Sequence, residues 1–184
     1  MGLIISIVVV VLIILWIIAI YNGLVRLRQK VKNSWSQIEV QLQRRFDLIP
    51  NLVETVKGYA KHESGVFEKV AGLRTSWANA SSISEKTQIA NELSGALKTI
   101  MAVSENYPEL KANQNFIDLQ EQLQETENKL AFSRQFYNDT VTMYNTKLEV
   151  FPSNIIAAMF GFKSETLFKT ESEEARKNVN VKFD

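Results

Sequence analysis

At 184 residues the chain is long enough for one domain with a sizeable core, and its 21 Lys and Arg against 20 Asp and Glu leave no basic footprint for nucleic acid. The absence of cysteine excludes disulfides, thiolate metal sites, a cysteine nucleophile and a lipid anchor on cysteine.

The run from Leu3 to Tyr21, LIISIVVVVLIILWIIAIY, is apolar apart from Ser6 and the closing Tyr21. At about 1.5 Å per residue a helix of this length crosses a hydrocarbon core of about 30 Å. Residues 1–22 are therefore expected to be a transmembrane anchor in contact with membrane lipid. No basic stretch precedes the run, and Ala19-Ile20-Tyr21-Asn22 is a poor cleavage site, so the anchor is expected to stay attached. Gly2 to Ser6 also fits the myristoylation pattern, which is taken as coincidence because the segment needs no lipid to reach a membrane. Arg26, Arg28, Lys30 and Lys32 follow the run closely while no basic side chain precedes it, so the N-terminus is expected outside the cell membrane and the rest in the cytoplasm.

Beyond the anchor, Leu24, Leu27, Val31, Trp35, Ile38, Leu42, Phe46, Ile49, Val53, Val56 and Ala60 recur at a mean step of about 3.6 residues. The stripe keeps its phase across Pro50, which predicts a helix that continues through the proline with a kink, at a local cost of about 3 kcal/mol. A shorter helix is expected from about Glu63 to Asn79. The polar turn NASSIS follows, where Ser82 and Glu85 have capping-box spacing, and a third helix should end near Asn106 because Tyr107-Pro108 stops it. In the fourth helix Phe116, Leu123, Leu130, Tyr137 and Tyr144 lie at seven-residue steps, flanked by Leu119, Val141 and Leu148, up to about Glu149. The expected fold class is all-α: an N-terminal transmembrane helix followed by an antiparallel four-helix bundle over residues 23–162, with two long helices and two shorter ones.

An up-down-up-down path returns the end of helix four to the membrane side. There FPSNIIAAMFGF would either cover the end of the bundle or dip Ile155, Ile156, Met159, Phe160 and Phe162 into the headgroup boundary. Residues 163–184 form a charged tail, expected to wrap on the bundle as irregular chain or to be partly disordered.

Two long blocks carry a resemblance. YNGLVRLRQKVKNSWSQIEVQLQRRFDLIPNLVETVKGYAKHE, Tyr21 to Glu63, and LAFSRQFYNDTVTMYNTKLEVFP, Leu130 to Pro152, resemble the two signatures of the bacterial LemA family. Gly161-Phe162 and the closing segment from Ala175 to Phe183 fall where the family has them. The resemblance implies a membrane-anchored, mostly helical bundle of bacterial origin. For activity it implies little, beyond the hint that members are often encoded near membrane metalloproteases and envelope-associated proteins.

The residues themselves offer scant catalytic chemistry. The one histidine, His62, cannot build His-Glu-x-x-His or a Glu-x-x-His pair, and is expected to be a surface or capping residue. There is no G-x-S-x-G turn, phosphate loop or dinucleotide fingerprint, and acidic residues such as Glu54 and Glu127 read as solvated. No catalytic residue, metal or cofactor is expected. Arg45 falls on the apolar stripe and, if buried, should find a carboxylate such as Glu127, so that Arg45, Pro50 and Glu127 are structural candidates. Arg44, Asp47 and Asn51 beside the Pro50 bend, with Arg134, Tyr137, Asn138 and Asp139 on helix four, are the candidate interaction surface. The expected function is non-enzymatic: a single-pass membrane protein presenting a helical bundle to a protein partner, as an adaptor in an envelope or membrane-protease system. The alternatives are a membrane-structural or lipid-sensing element without a stable partner and, third, an unrecognised hydrolase or cofactor binder.

Overall fold

The computed structural model describes residues 1–60 and 64–169. Among them the chain is all-helical, as the periodicity predicts, and contains no strand. Six helices follow in order: α1 (Gly2–Lys57), α2 (Ser64–Asn79), α3 (Ile83–Ser104), α4 (Pro108–Lys111), α5 (Gln114–Glu149) and α6 (Ser153–Met159).

The apolar N-terminal run and the first amphipathic stripe belong to one helix, α1, which continues through Pro50. Of the predicted stripe, Leu24, Val31, Trp35, Ile38, Leu42, Phe46, Ile49, Val56 and Ala60 are buried. Leu27 and Val53 are half-buried, and Leu52 takes the core position assigned to Val53. The seven-residue series on α5 is buried throughout, from Phe116 to Tyr144, because a strict heptad keeps one seam of a helix turned towards its neighbours.

Local chemistry sets the ends. Ser82 caps α3 from an extended backbone (φ −106°, ψ 151°); the Glu85 amide donates to its Oγ at 3.1 Å, and the Ser82 amide donates to the Glu85 carboxylate at 3.2 Å. The backbone amides of Ser82 and then Ser81 hold the Glu85 carboxyl below its usual range. After α3, Tyr107-Pro108 does stop the helix, but Pro108 then opens the extra turn α4, since proline suits a first helical position. At the start of α5 the Phe116 amide donates to Asn113 Oδ1 at 3.2 Å.

The chain divides into two compact units whose boundaries fall inside α1 and α5. The first comprises Met1–Arg44 and Gln124–Leu167. In it α1 and α5 run antiparallel: Trp35 meets Tyr137 edge to face with ring centres 5.5 Å apart, and further on Arg44 pairs with Glu125 at 3.6 Å. After α6 the chain runs beside α5 without regular secondary structure, and Asn145 fixes the Glu165 backbone in both directions, donating to its carbonyl and accepting from its amide at 2.9 Å each. Tyr137 Oη donates to the Thr166 carbonyl at 2.8 Å.

The second unit comprises Arg45–Leu123 with Phe168 and Lys169. It gathers four helical segments, namely the end of α1, α2, α3 and the start of α5, with α4 as a fifth turn. Phe46 stacks on Trp77 at 5.1 Å between ring centres, and Leu52, Val56, Val70, Leu93, Ile100, Leu110 and Phe116 fill the core. Phe168 is buried, and Asn91 Nδ2 donates to the Lys169 carbonyl at 3.2 Å. The expectations for His62, Glu63 and the closing segment from Ala175 to Phe183 lie outside the described residues, as does the tail beyond Lys169.

Candidate functional site

The residues proposed from sequence as a joint interaction surface do not share one character. Tyr137 is corrected from surface to core: it is fully buried, because the heptad that places it on the seam outweighs its polar tip, and that tip is satisfied by Thr166. Burial first, and the charge of Glu165 second, push its phenol up to about 12. Arg134 is also largely covered, its side chain 12% exposed and 3.6 Å from the Glu127 carboxylate. Asn138 is half-buried, whereas Asp139, Asp47 and Asn51 are exposed. Arg44 is half exposed and shares Glu125 with Lys129, which holds the Glu125 carboxyl below its usual range, Lys129 acting more strongly than Arg44.

Arg45 is buried, as its place on the stripe predicts, and within its own unit Nη1 donates to Ser94 Oγ at 2.9 Å. The Ser94 hydroxyl in turn donates to the Ala90 carbonyl at 3.0 Å, so it can orient a lone pair towards the guanidinium. Glu127 is engaged by Arg134. Pro50 is half-buried inside α1.

An apolar row that sequence reasoning passed over lies on the outer side of α5. Phe132 is 75% exposed, and Phe136 and Met143 are more than two-fifths exposed. Together with Glu125, Lys129 and Asp139 they recur at alternating steps of four and three, which on a helix is a single longitudinal row. Lys30 on α1 reaches over the Phe136 ring at 5.5 Å, and Val40, also on α1, is exposed as well. The signal was available in the sequence, where the heptad count on α5 has a second, offset series interrupted by polar residues.

The segment from Phe151 to Phe162 behaves in two ways. Ile156 and Ala157 are buried against Leu24, with Ile17, Ile20, Tyr21, Leu148 and Phe162 packed around them, so that part of the segment covers the end of the α1–α5 pair. Ile155, Met159 and Phe160 are more than half exposed. Ser153 anchors the turn, its buried hydroxyl lying 2.7 Å from the Lys147 carbonyl and 3.0 Å from that of Val150. At the other end Gly161 adopts φ +68°; its amide donates to the Ala158 carbonyl at 3.3 Å, and the Phe162 amide donates to that of Ala157 at 3.0 Å. This left-handed close turns the chain back, so that Phe160 and Phe162 lie 4.8 and 5.7 Å from the Tyr21 ring and Arg28 sits 5.1 Å over Phe162. Nearby, burial raises the Tyr144 phenol against the opposing pull of Arg28, with Glu165 adding to the rise.

Among the described residues no group of three or more His, Asp and Glu side chains is placed to hold a metal ion. Among the described residues one helix, α1, is long and apolar enough to cross a membrane. The fold and these surfaces thus define a membrane-associated helical protein.

The LemA family model matches residues 34–183, and the chain belongs to that family. It is 26% identical to magnetosome protein MamQ 2 of Paramagnetospirillum magneticum over 175 residues, covering 81% of this chain and 64% of the relative. It is 25% identical to Protein LemA of Metamycoplasma hominis over 165 residues, covering 87% of this chain and 73% of the relative. A third relative, magnetosome protein MamQ of Magnetospirillum gryphiswaldense, is 25% identical over 174 residues, at 80% and 64% coverage. The chain therefore spans somewhat under two-thirds of the length of the MamQ relatives.

Proposed function

We propose that the protein is a non-enzymatic, single-pass membrane adaptor that presents its helical bundle to a protein partner in an envelope or membrane-protease system. In this reading the apolar residues Leu3 to Tyr21 cross the bilayer, and the excess of Arg26, Arg28, Lys30 and Lys32 after them supports a bundle on the cytoplasmic side. The exposed row on α5 supports the adaptor reading. Phe132, Phe136 and Met143 place large apolar side chains in water at helical spacing, with Lys129 and Asp139 interleaved. That is the pattern onto which a partner helix packs, its apolar face against the aromatic anchors and its charges against the interleaved pair.

A photoreactive residue at Phe132 in native membranes tests the reading. A discrete cross-linked protein, lost when the same residue is placed at buried Tyr137, supports it; the same cross-links at both positions, or none at either, sink it. Sidedness is read separately with Ser81→Cys, since Ser81 is exposed and no native cysteine competes. Labelling by an impermeant maleimide only after lysis is the expected result, and labelling of intact cells reverses the orientation.

A further inference from the structure

The helix α6 contains no charged residue, yet it is apolar on both sides. Ile156 and Ala157 face the α1–α5 pair, while Ile155 and Met159, one turn apart, project outward at 56% and 62% exposure with Phe160 beside them. A cover for the end of a bundle in water would carry polar residues on that outer side. What decides the environment is the identity of the residues beneath. Ile17, Ile20 and Tyr21, which pack on the cluster formed by Leu24 with Ile156 and Ala157 of α6, are among the closing residues of the apolar run Leu3 to Tyr21. Ile17 lies four residues inside the end of that run, about 6 Å along a helix. A segment that shares a cluster with Ile17 and Ile20, and whose flanking Phe160 and Phe162 meet Tyr21, lies level with the end of that run.

The charge pattern agrees. The first acidic residue of the chain is Glu39, so the first turns after the run carry only Arg26, Arg28, Lys30 and Lys32. Arg28 is held over Phe162, and exposed Lys163 follows directly. Glu149 and Glu165 are the acidic groups of the adjoining segments. Aromatic rings at the boundary with guanidinium and ammonium groups just beyond them match the acyl, glycerol and phosphate layers in order.

We infer that Phe151 to Phe162 is a membrane foot: Ile155, Met159 and Phe160 enter the headgroup boundary of the bilayer that α1 crosses, while Arg26, Arg28 and Lys163 meet lipid phosphates. This rests on the reading that Leu3 to Tyr21 spans a bilayer, and the test separates the two. Single cysteines replace Val10, Met159 and Ala131 in the full chain and carry a nitroxide spin label. The protein is reconstituted into vesicles of phosphatidylcholine and phosphatidylglycerol, and relaxation of each label by dissolved oxygen is compared with relaxation by a water-soluble nickel chelate.

The expected result is a label at Met159 that behaves like the one at Val10, oxygen-accessible and several-fold shielded from nickel, while the label at exposed Ala131 is open to nickel. A label at Met159 as open to nickel as that at Ala131, with Val10 shielded, overturns the foot and leaves the span standing. Nickel access at Val10 as well overturns both. Shielding at Met159 that disappears when the protein is diluted with lipid assigns the face to a second copy of the chain, and overturns the lipid reading.

Discussion

The substitution Tyr137→Phe separates the two roles of one hydroxyl. The ring stays in the seam, and the bond from Oη to the Thr166 carbonyl is lost, which costs about 1 kcal/mol at neutral pH. In the native chain the phenol is raised to about 12 by burial and by Glu165, from an ordinary value of about 10. The unfolded chain therefore gives up this proton first. The wild-type contribution is whole below pH 10, is drawn down as the pH rises and is gone by about pH 12. By about pH 11 the wild type has lost stability on the order of 1 kcal/mol through this linkage, and the variant has lost none of it. The gap between the two should thus close. The variant is less stable by about 1 kcal/mol at neutral pH, and the difference shrinks as the pH rises from about 10 towards 12. Urea unfolding followed by far-ultraviolet circular dichroism, with both proteins in the same detergent micelles, measures the difference; the titrations of the other groups are common to the two and cancel. A gap of unchanged size across this pH range would refute the assignment of the raised phenol to Tyr137.

Removing the cap with Ser82→Ala should cost about 1 kcal/mol in the same unfolding assay. The Glu85 carboxyl is held low in the folded chain, so the wild type's advantage is present above the ordinary carboxylate range and is lost as the pH falls through it. Phe46→Ala, which removes the ring stacked on Trp77, should cost about 3 to 5 kcal/mol and abolish a cooperative transition. Gly161→Ala should cost about 1 to 2 kcal/mol through its left-handed backbone, and should loosen the Phe162 contact with Tyr21, seen as a faster-relaxing aromatic signal in NMR. Phe132→Ser should leave thermal unfolding within about 0.5 kcal/mol of wild type, since an exposed side chain contributes little to the core, while removing the cross-link formed from a photoreactive residue at Met143 of the same row.

The order of the long helices was legible because their signals are redundant. The stripe on α1 and the heptad on α5 each repeat many times, so a single misplaced position, Val53 for Leu52, does not disturb the whole. The Ser82 cap was legible for a different reason, since both halves of the device lie within four residues. Tyr137 shows the limit. Its spacing argued for the seam and its hydroxyl for the surface, and what resolves the conflict is a carbonyl at Thr166, far along the chain. The Asn145 clamp on Glu165 is hidden for the same reason, and α6 because seven residues carry too little periodicity to declare a helix between a proline and a glycine. The exposed row on α5 was countable from sequence, but its openness to solvent was not.

The unbroken passage of α1 from Gly2 beyond the apolar run makes the helix a lever. No proline or loop lies between Tyr21 and Arg44, a distance of about 35 Å along the axis. A bilayer that thins and tilts the span by about 10° would sweep the Arg44 end sideways by about 6 Å, so a small change in membrane thickness becomes a displacement as wide as a side chain. The packing of α6 against Ile17, Ile20 and Leu24 gives that lever a stop, and the stiffness of a few aromatic contacts around Tyr21 then sets how far thickness is converted into movement.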